Sequence, residues 1–246
     1  MFGRRVAAGV TLGGVLALAA LSGAPPVAAS LHATTPDAST LYRDALTTTK
    51  SWSVHYESSS TVSQVSLLET GDAGPASGTQ NVATGKGGVT DTITIDVIGG
   101  LTYVMGNAGG FQALVGLDAA TAQQVAGHWI EFSTTSGTFA PVVAGVRSRD
   151  VADELELKGR LTLGHATTLD GIAVDAIEGT QTQARKTVHV VLYVRAHGSH
   201  VPVEEDSVDA KGKATGALHV AYSHWGETVR PEAPQGAVPI GPVSAV

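Results

Sequence analysis

Nine histidines and one acidic triplet are the residues of this 246-residue chain that could carry metal or acid–base chemistry. His197-x-x-His200 has the spacing of half a zinc site, but such a site takes three or four ligands held by outer-shell partners. Gly198 and Ser199 between the two histidines read instead as a turn, with both imidazoles facing water. His189 and His219 alternate with apolar neighbours and read as exposed strand positions. His128, beside Trp129, suits a plain surface position better than the rim of a cavity. Glu204-Glu205-Asp206 reads as a solvated strand edge, where charge discourages pairing between sheets. Trp52, Trp129 and Trp225 suit core filling and ligand contact equally. No Gly-x-Ser-x-Gly elbow, phosphate-binding loop or His-Glu-x-x-His helix occurs in the sequence, so no motif names a reaction. The expectation is a non-catalytic protein with no cofactor and no metal.

What remains is binding without reacting groups. Ile93, Ile95 and Val97 alternate with Thr92, Thr94 and Asp96, the period of a half-buried strand. Gly99-Gly100 is a hairpin turn signal, since primed turns need positive φ. A two-residue loop sets Ile98 opposite Leu101 and Ile95 opposite Val104, so Ile93, Ile95, Val97 and Val104 share one apolar face. By the same alternation Val188, Val190, Leu192 and Val194 form a second patch, and Leu218, Val220 and Tyr222 a third. Such faces serve as ordinary core. They would equally serve as a wall for an acyl chain, which makes no hydrogen-bonding demand and gains ~0.8 kcal/mol per buried CH₂ before the costs of association.

These patches need a framework. Met1–Ala29 reads as a secretory signal: Arg4 and Arg5 precede the apolar run Val6–Leu21, and Val27-Ala28-Ala29 offers a cleavage site before Ser30. Twin-arginine export lacks a strong hydrophobic follow-up here, which favours the general route. Leu21-Ser22-Gly23 resembles a lipobox, but Ala24 stands where lipid attachment needs cysteine, and the chain contains no cysteine. The expectation is therefore a protein outside the cytoplasm, without a lipid anchor and without a membrane span after cleavage. Without the leader, 13 basic residues face 22 acidic ones, a net of −9. That balance argues against a nucleic-acid partner.

The remaining 217 residues suffice for one domain. Thr35-Pro36-Asp37 signals a helix start, with Thr35 as the cap, and Ala38, Leu41, Tyr42, Ala45 and Leu46 form its apolar stripe. The stripe ends before Thr47–Lys50, and strand chemistry follows over Ser51–Ser60, Ser66–Gly71 and Thr79–Thr84. After the central hairpin, a short helix opens at Leu117-Asp118 and closes at Gly127, followed by an apolar piece at His128–Phe132. A second capped helix is expected near Ser148–Lys158, with Gly159 as its stop. Strands are then expected at Arg160–Thr167, Ile172–Thr180, Lys186–Arg195, Val201–Val208 and Thr215–Ser223, joined by short turns and so antiparallel. From Pro231 the Pro/Gly-rich tail reads as extended and mostly unpaired.

This order resembles the LolA/LolB-like lipoprotein-carrier superfamily, and most of all the actinobacterial LppX/LprG-type lipid-binding lipoproteins. The residues that carry the resemblance are Leu101–Met105, Ala126-Gly127-His128-Trp129, Leu169-Asp170-Gly171 and His197-Gly198 before Val201-Pro202. Ser223-His224-Trp225-Gly226 before Pro231 and Pro234 fits the last strand and exit. The resemblance implies an α+β fold: a strongly curved antiparallel sheet, an unclosed half-barrel, with a few short helices over its concave face. It spans residues 30–230, leaving 231–246 as the tail. It also implies a hollow that holds acyl chains; Ala24 departs from the pattern at the anchor only. The small Ala/Gly-rich helices supply little bulk to fill such a sheet. The expected function is to hold a lipid or other acyl-bearing amphiphile, as a monomer, for transport or sensing at the cell envelope. A second reading is an envelope interaction module with a protein partner and no ligand; a third is a hydrolase with an unrecognised site.

Overall fold

The computed structural model describes residues 36–62, 64–133, 144–183, 186–208, 211 and 213–240. The expected signal at 1–29, the first residues of the expected domain and the last six of the tail lie outside the described residues. Helix α1 spans Ala38–Ser51. Asp37, not Thr35, caps it: its carboxylate accepts from the Thr40 N–H at 2.9 Å. The helix also runs past its apolar stripe through Thr47–Lys50 to Ser51, the first residue of the segment expected to turn to strand chemistry. The Thr47, Thr49 and Ser51 hydroxyls donate to the carbonyls of Arg43, Ala45 and Thr47, so these polar side chains are satisfied within the helix rather than breaking it.

Strands β1 Val54–Val62, β2 Val65–Ala73, β3 Gly78–Lys86, β4 Val89–Ile98 and β5 Leu101–Gly106 form a continuous antiparallel meander. The β4–β5 register is the expected one, with Ile95 opposite Val104 and Ile98 opposite Leu101. Three short helical pieces follow: α2 Ala108–Gly110, a π-helical turn at Phe111–Val115, and α3 Ala119–Val125, capped by Asp118. Helix α2 lies directly on β4. A Cβ on Gly110 would stand 2.3 Å from the Thr92 carbonyl oxygen, so only glycine allows that approach.

Strand β6 covers Ile130–Ser133 and helix α4 covers Ser148–Glu154. The helix is shorter than its pattern suggested, because Leu155 ends it and Gly159, at φ +80°, already belongs to a strand. Strands β7 Lys158–Leu163 and β8 Thr167–Leu169 divide the segment read as one strand. Then come β9 Ile172–Gln183, β10 Lys186–Arg195, β11 Pro202–Val208 and β12 Ala214–Ser223, a second antiparallel meander. The tail is not wholly unpaired: β13, Val238–Pro239, adds a short parallel pairing to β6.

The strand order is β13-β6-β5-β4-β3-β2-β1-β12-β11-β10-β9-β7, with β8 on β9. Pairing of β1 with β12 fuses the two meanders, while β13 and β7 remain separate edges. The result is the α+β unclosed half-barrel with short helices. Two clusters of buried side chains occupy its inner face. In the first, Leu41 and Ala45 of α1 and Val151 and Leu155 of α4 pack on β9, β10 and β12. In the second, Phe111, Val115 and Ala122 of the α2–α3 segment pack on β4, β5 and β6.

Candidate functional site

The three apolar patches read from the sequence fall in both clusters. Ile93, Ile95, Val97 and Val104 come together as expected, each at most 3% exposed, beneath Phe111. Val190, Leu192 and Val194 are fully buried in the other cluster, with Val188 partly open beside them. Leu218, Val220 and Tyr222 belong to this first cluster too, but they face a space. Between the clusters lies a cavity of about 170 Å³. Leu67 from the second cluster's side and Leu218 and Val220 from the first's form its apolar wall.

Of the polar lining of this cavity only Tyr222 was read from the sequence. Glu69 enters from β2, Glu154 from α4, Glu205 from β11, and Tyr56, Gln181 and Tyr222 complete the floor. The acidic triplet is therefore no solvated edge: β11 lies inside the sheet between β10 and β12, and Glu205 is 3% exposed. Register sets Glu205 beside Leu192 on one side and Val220 on the other. Gln181 Nε2 donates to Glu205 Oε1 at 2.7 Å and to the Glu154 carbonyl at 3.2 Å. The Tyr222 hydroxyl donates to Glu205 Oε2 at 3.4 Å.

Burial pushes the Glu205 carboxyl up to about 7, against the opposing pull of the Gln181 and Tyr222 hydrogen bonds. Glu154 is the rim residue: solvent reaches it, yet protein crowds it on most sides. That crowding, then the charges of Glu69, Glu205 and Asp150, raise its pKa, and solvent contact tempers the rise. Glu69 is raised by burial alone. Among the described residues no basic side chain pairs with any of the three carboxyls or lowers their pKa values. The Tyr56 hydroxyl completes the set. Burial, then the charges of Glu154 and Glu69, pushes the Tyr56 hydroxyl well above its ordinary range, the nearby Gln80 amide opposes this slightly, and the hydroxyl makes no hydrogen bond.

The other sequence candidates lie elsewhere. His197–His200 is the expected turn, with Gly198 at φ +84° and His200 Nδ1 2.9 Å from the Arg195 carbonyl. On the outer face, His219 Nδ1 sits 2.9 Å from Asp206 Oδ1, with Glu204 close by. Trp225 packs on the first cluster and donates to the Pro202 carbonyl at 3.0 Å, whereas Trp52 is 40% exposed. The outer face also carries a groove of about 510 Å³ around Leu68, bordered by Glu57, Asn81, Thr94 and His219.

This architecture is the fold of a solved mycobacterial protein, LprF. The structure of LprF from Mycobacterium bovis matches it with a TM-score of 0.52 at 14% identity, over 81% of this chain and 97% of that one. Looser matches are an uncharacterized conserved protein from Thermus thermophilus (TM-score 0.41, 12% identity, 82% and 98% covered) and a LolA superfamily protein from Nitrosomonas europaea (0.29, 12%, 80% and 96%). No family model and no curated protein matches the sequence. Among the described residues no helix is long and apolar enough to cross a membrane.

Proposed function

We propose that the mature chain is an exported, monomeric, non-catalytic binding protein that holds a lipid or other acyl-bearing amphiphile in the half-barrel, for transport or sensing at the cell envelope. One observation carries this reading. The two helical groups cover the two ends of the inner face and leave a cavity between them, walled by Leu67, Leu218 and Val220. A plain core has no reason to keep such a gap, since interiors pack to the density of organic crystals. About 170 Å³ is less than whole drug-sized ligands occupy, so the cavity receives one end of an amphiphile rather than all of it. Leu218, Val220 and Tyr222 touch the ligand in this reading. Ile93, Ile95, Val97, Val104, Val188, Val190, Leu192 and Val194 shape the wall behind it.

The outer groove around Leu68, itself 56% exposed, favours a second reading: a surface module that docks an envelope protein. Native mass spectrometry of the purified mature chain separates the two. A co-purifying amphiphile, or uptake of an added one, supports the carrier. A chain that stays empty with every amphiphile offered supports the surface module.

A further inference from the structure

We propose that the inner cavity receives a primary ammonium group, carried by the bound amphiphile, and that Glu205, Glu154 and Tyr56 recognise it. The proposal rests on the carrier reading and names the chemistry of the ligand's head. Its starting point is a violated rule. Carboxylates are rarely buried unless paired with a cation or a metal. Here Glu205 is 3% exposed, and half-buried Glu69 and the rim residue Glu154 line the same small space; among the described residues no lysine, arginine or histidine answers them. A fold that keeps such a cluster unpaired loses stability for it, and such local violations concentrate at functional sites.

The second observation is independent of the charges. The Tyr56 side chain is 3% exposed, lines the same cavity, and its hydroxyl has no hydrogen-bond partner. A buried hydroxyl without a partner is destabilising, and a ligand donor entering the cavity would satisfy it. Gly145 lies against this hydroxyl. A Cβ at that position would stand 3.2 Å from both Tyr56 Oη and Gln80 Nε2, and 3.4 Å from Glu154 Oε1. Tyr56 and Glu154 thus converge on one spot from opposite layers of the fold.

A metal ion does not suit this arrangement. Among the described residues the trio whose ligand atoms all lie within 4.8 Å of one another is Glu204, Asp206 and His219, on the outer face. The cavity carboxyls are spread more widely, so they surround a cation that brings its own donors. A primary ammonium has three N–H donors and no acceptor, which matches two carboxylates and a phenol oxygen. The apolar wall of Leu67, Leu218 and Val220 then accepts the first methylenes.

The test compares decylamine, decanol and decanoate, which share one chain and differ in charge, by calorimetry at about pH 8, where an alkylamine is still protonated. Decylamine should bind at least about tenfold tighter than the other two, the scale of a charge-assisted contact in a desolvated site. The double substitution Glu154→Gln and Glu205→Gln should abolish that preference and leave decanol binding within about twofold, since both changes keep shape and remove only charge. Tyr56→Phe, which keeps the ring, should weaken decylamine more than decanol. Equal binding of the three probes overturns the ammonium proposal and leaves the carrier reading standing. Binding of none overturns both. Retention of the preference in the double variant also overturns it, because the charge would then be read elsewhere.

Discussion

Tyr56 and Gly71 stand opposite each other across β1 and β2, and the tyrosine ring occupies the place where a side chain on residue 71 would sit. A Cβ there would lie 2.7 Å from the Tyr56 Cζ and Oη atoms. The missing side chain at Gly71 is what lets the phenol lie flat along the floor and present its hydroxyl to the cavity. Gly71→Ala should therefore displace a rigid ring and cost about 1–3 kcal/mol, the usual penalty for overpacking. In a Tyr56→Ala background the same change should cost almost nothing. A double-mutant cycle on the unfolding midpoints measures that coupling.

Tyr42 ties α1 to the turn that leads out of α4. Its hydroxyl donates to the Leu155 carbonyl at 3.0 Å and accepts from the Leu157 N–H at 2.6 Å. Tyr42→Phe leaves both backbone groups without their partner, which should destabilise the fold by about 1–3 kcal/mol. Faster amide exchange at Leu157 than at the centre of β10 would localise the effect, and unchanged protection there would refute it.

The central hairpin was legible because everything that sets it is local. Gly99-Gly100 fixes the loop length, loop length fixes register, and register gathers Ile93, Ile95, Val97 and Val104. Glu205 was not legible, because its face depends on which strands flank β11. In isolation, Glu204-Glu205-Asp206 is a run of charge. Only the pairing of β11 with β10 and β12 reveals that Glu205 lies in line with Leu192 and Val220. A trace of the site was still present in the sequence: Tyr222 ends the alternation from Leu218, and Gln181 continues the alternation from Ile177. Polar members of apolar faces are the natural candidates for a buried network. The extension of α1 through Thr47–Ser51 was hidden for a different reason. Threonine and serine are poor interior helix residues unless their hydroxyls bond back to the preceding turn, as they do here.

The buried carboxyl gives stability an unusual pH dependence. Glu205 titrates near 7 in the folded chain against an ordinary value of 4.5. Between those values the folded protein holds a proton that the unfolded chain has released, so stability falls as pH rises through the window. Glu154 and Glu69 shift in the same direction. The groups facing Glu205 are Gln181 from β9, Tyr222 from β12, Glu154 from α4 and Tyr42 from α1, with Asp206 next to it on β11. None is cationic, so none reverses the sign. Glu205→Gln should raise stability on the order of 2 kcal/mol at about pH 8 and flatten the profile. Denaturant midpoints between about pH 5 and pH 8 check this, and a profile unchanged by the substitution would show that Glu205 is not the titrating group.

Placing one bulky side chain at two positions separates cavity from core. Leu218 is partly open and lines the cavity, whereas Val190 is fully buried in the same cluster as Leu41 and Ala45. In Leu218→Trp the added ring has empty volume to enter. The unfolding midpoint should change little, and uptake of an amphiphile should fall at least about tenfold, the loss of roughly two methylenes of burial. In Val190→Trp the ring has no such volume and must push α1 away from the sheet, at about 1–3 kcal/mol. Its effect on binding should be indirect and should follow its effect on stability. If Leu218→Trp instead destabilises as much as Val190→Trp while binding persists in both, the space between the two clusters closes in solution and the ligand site must lie outside the half-barrel's inner face.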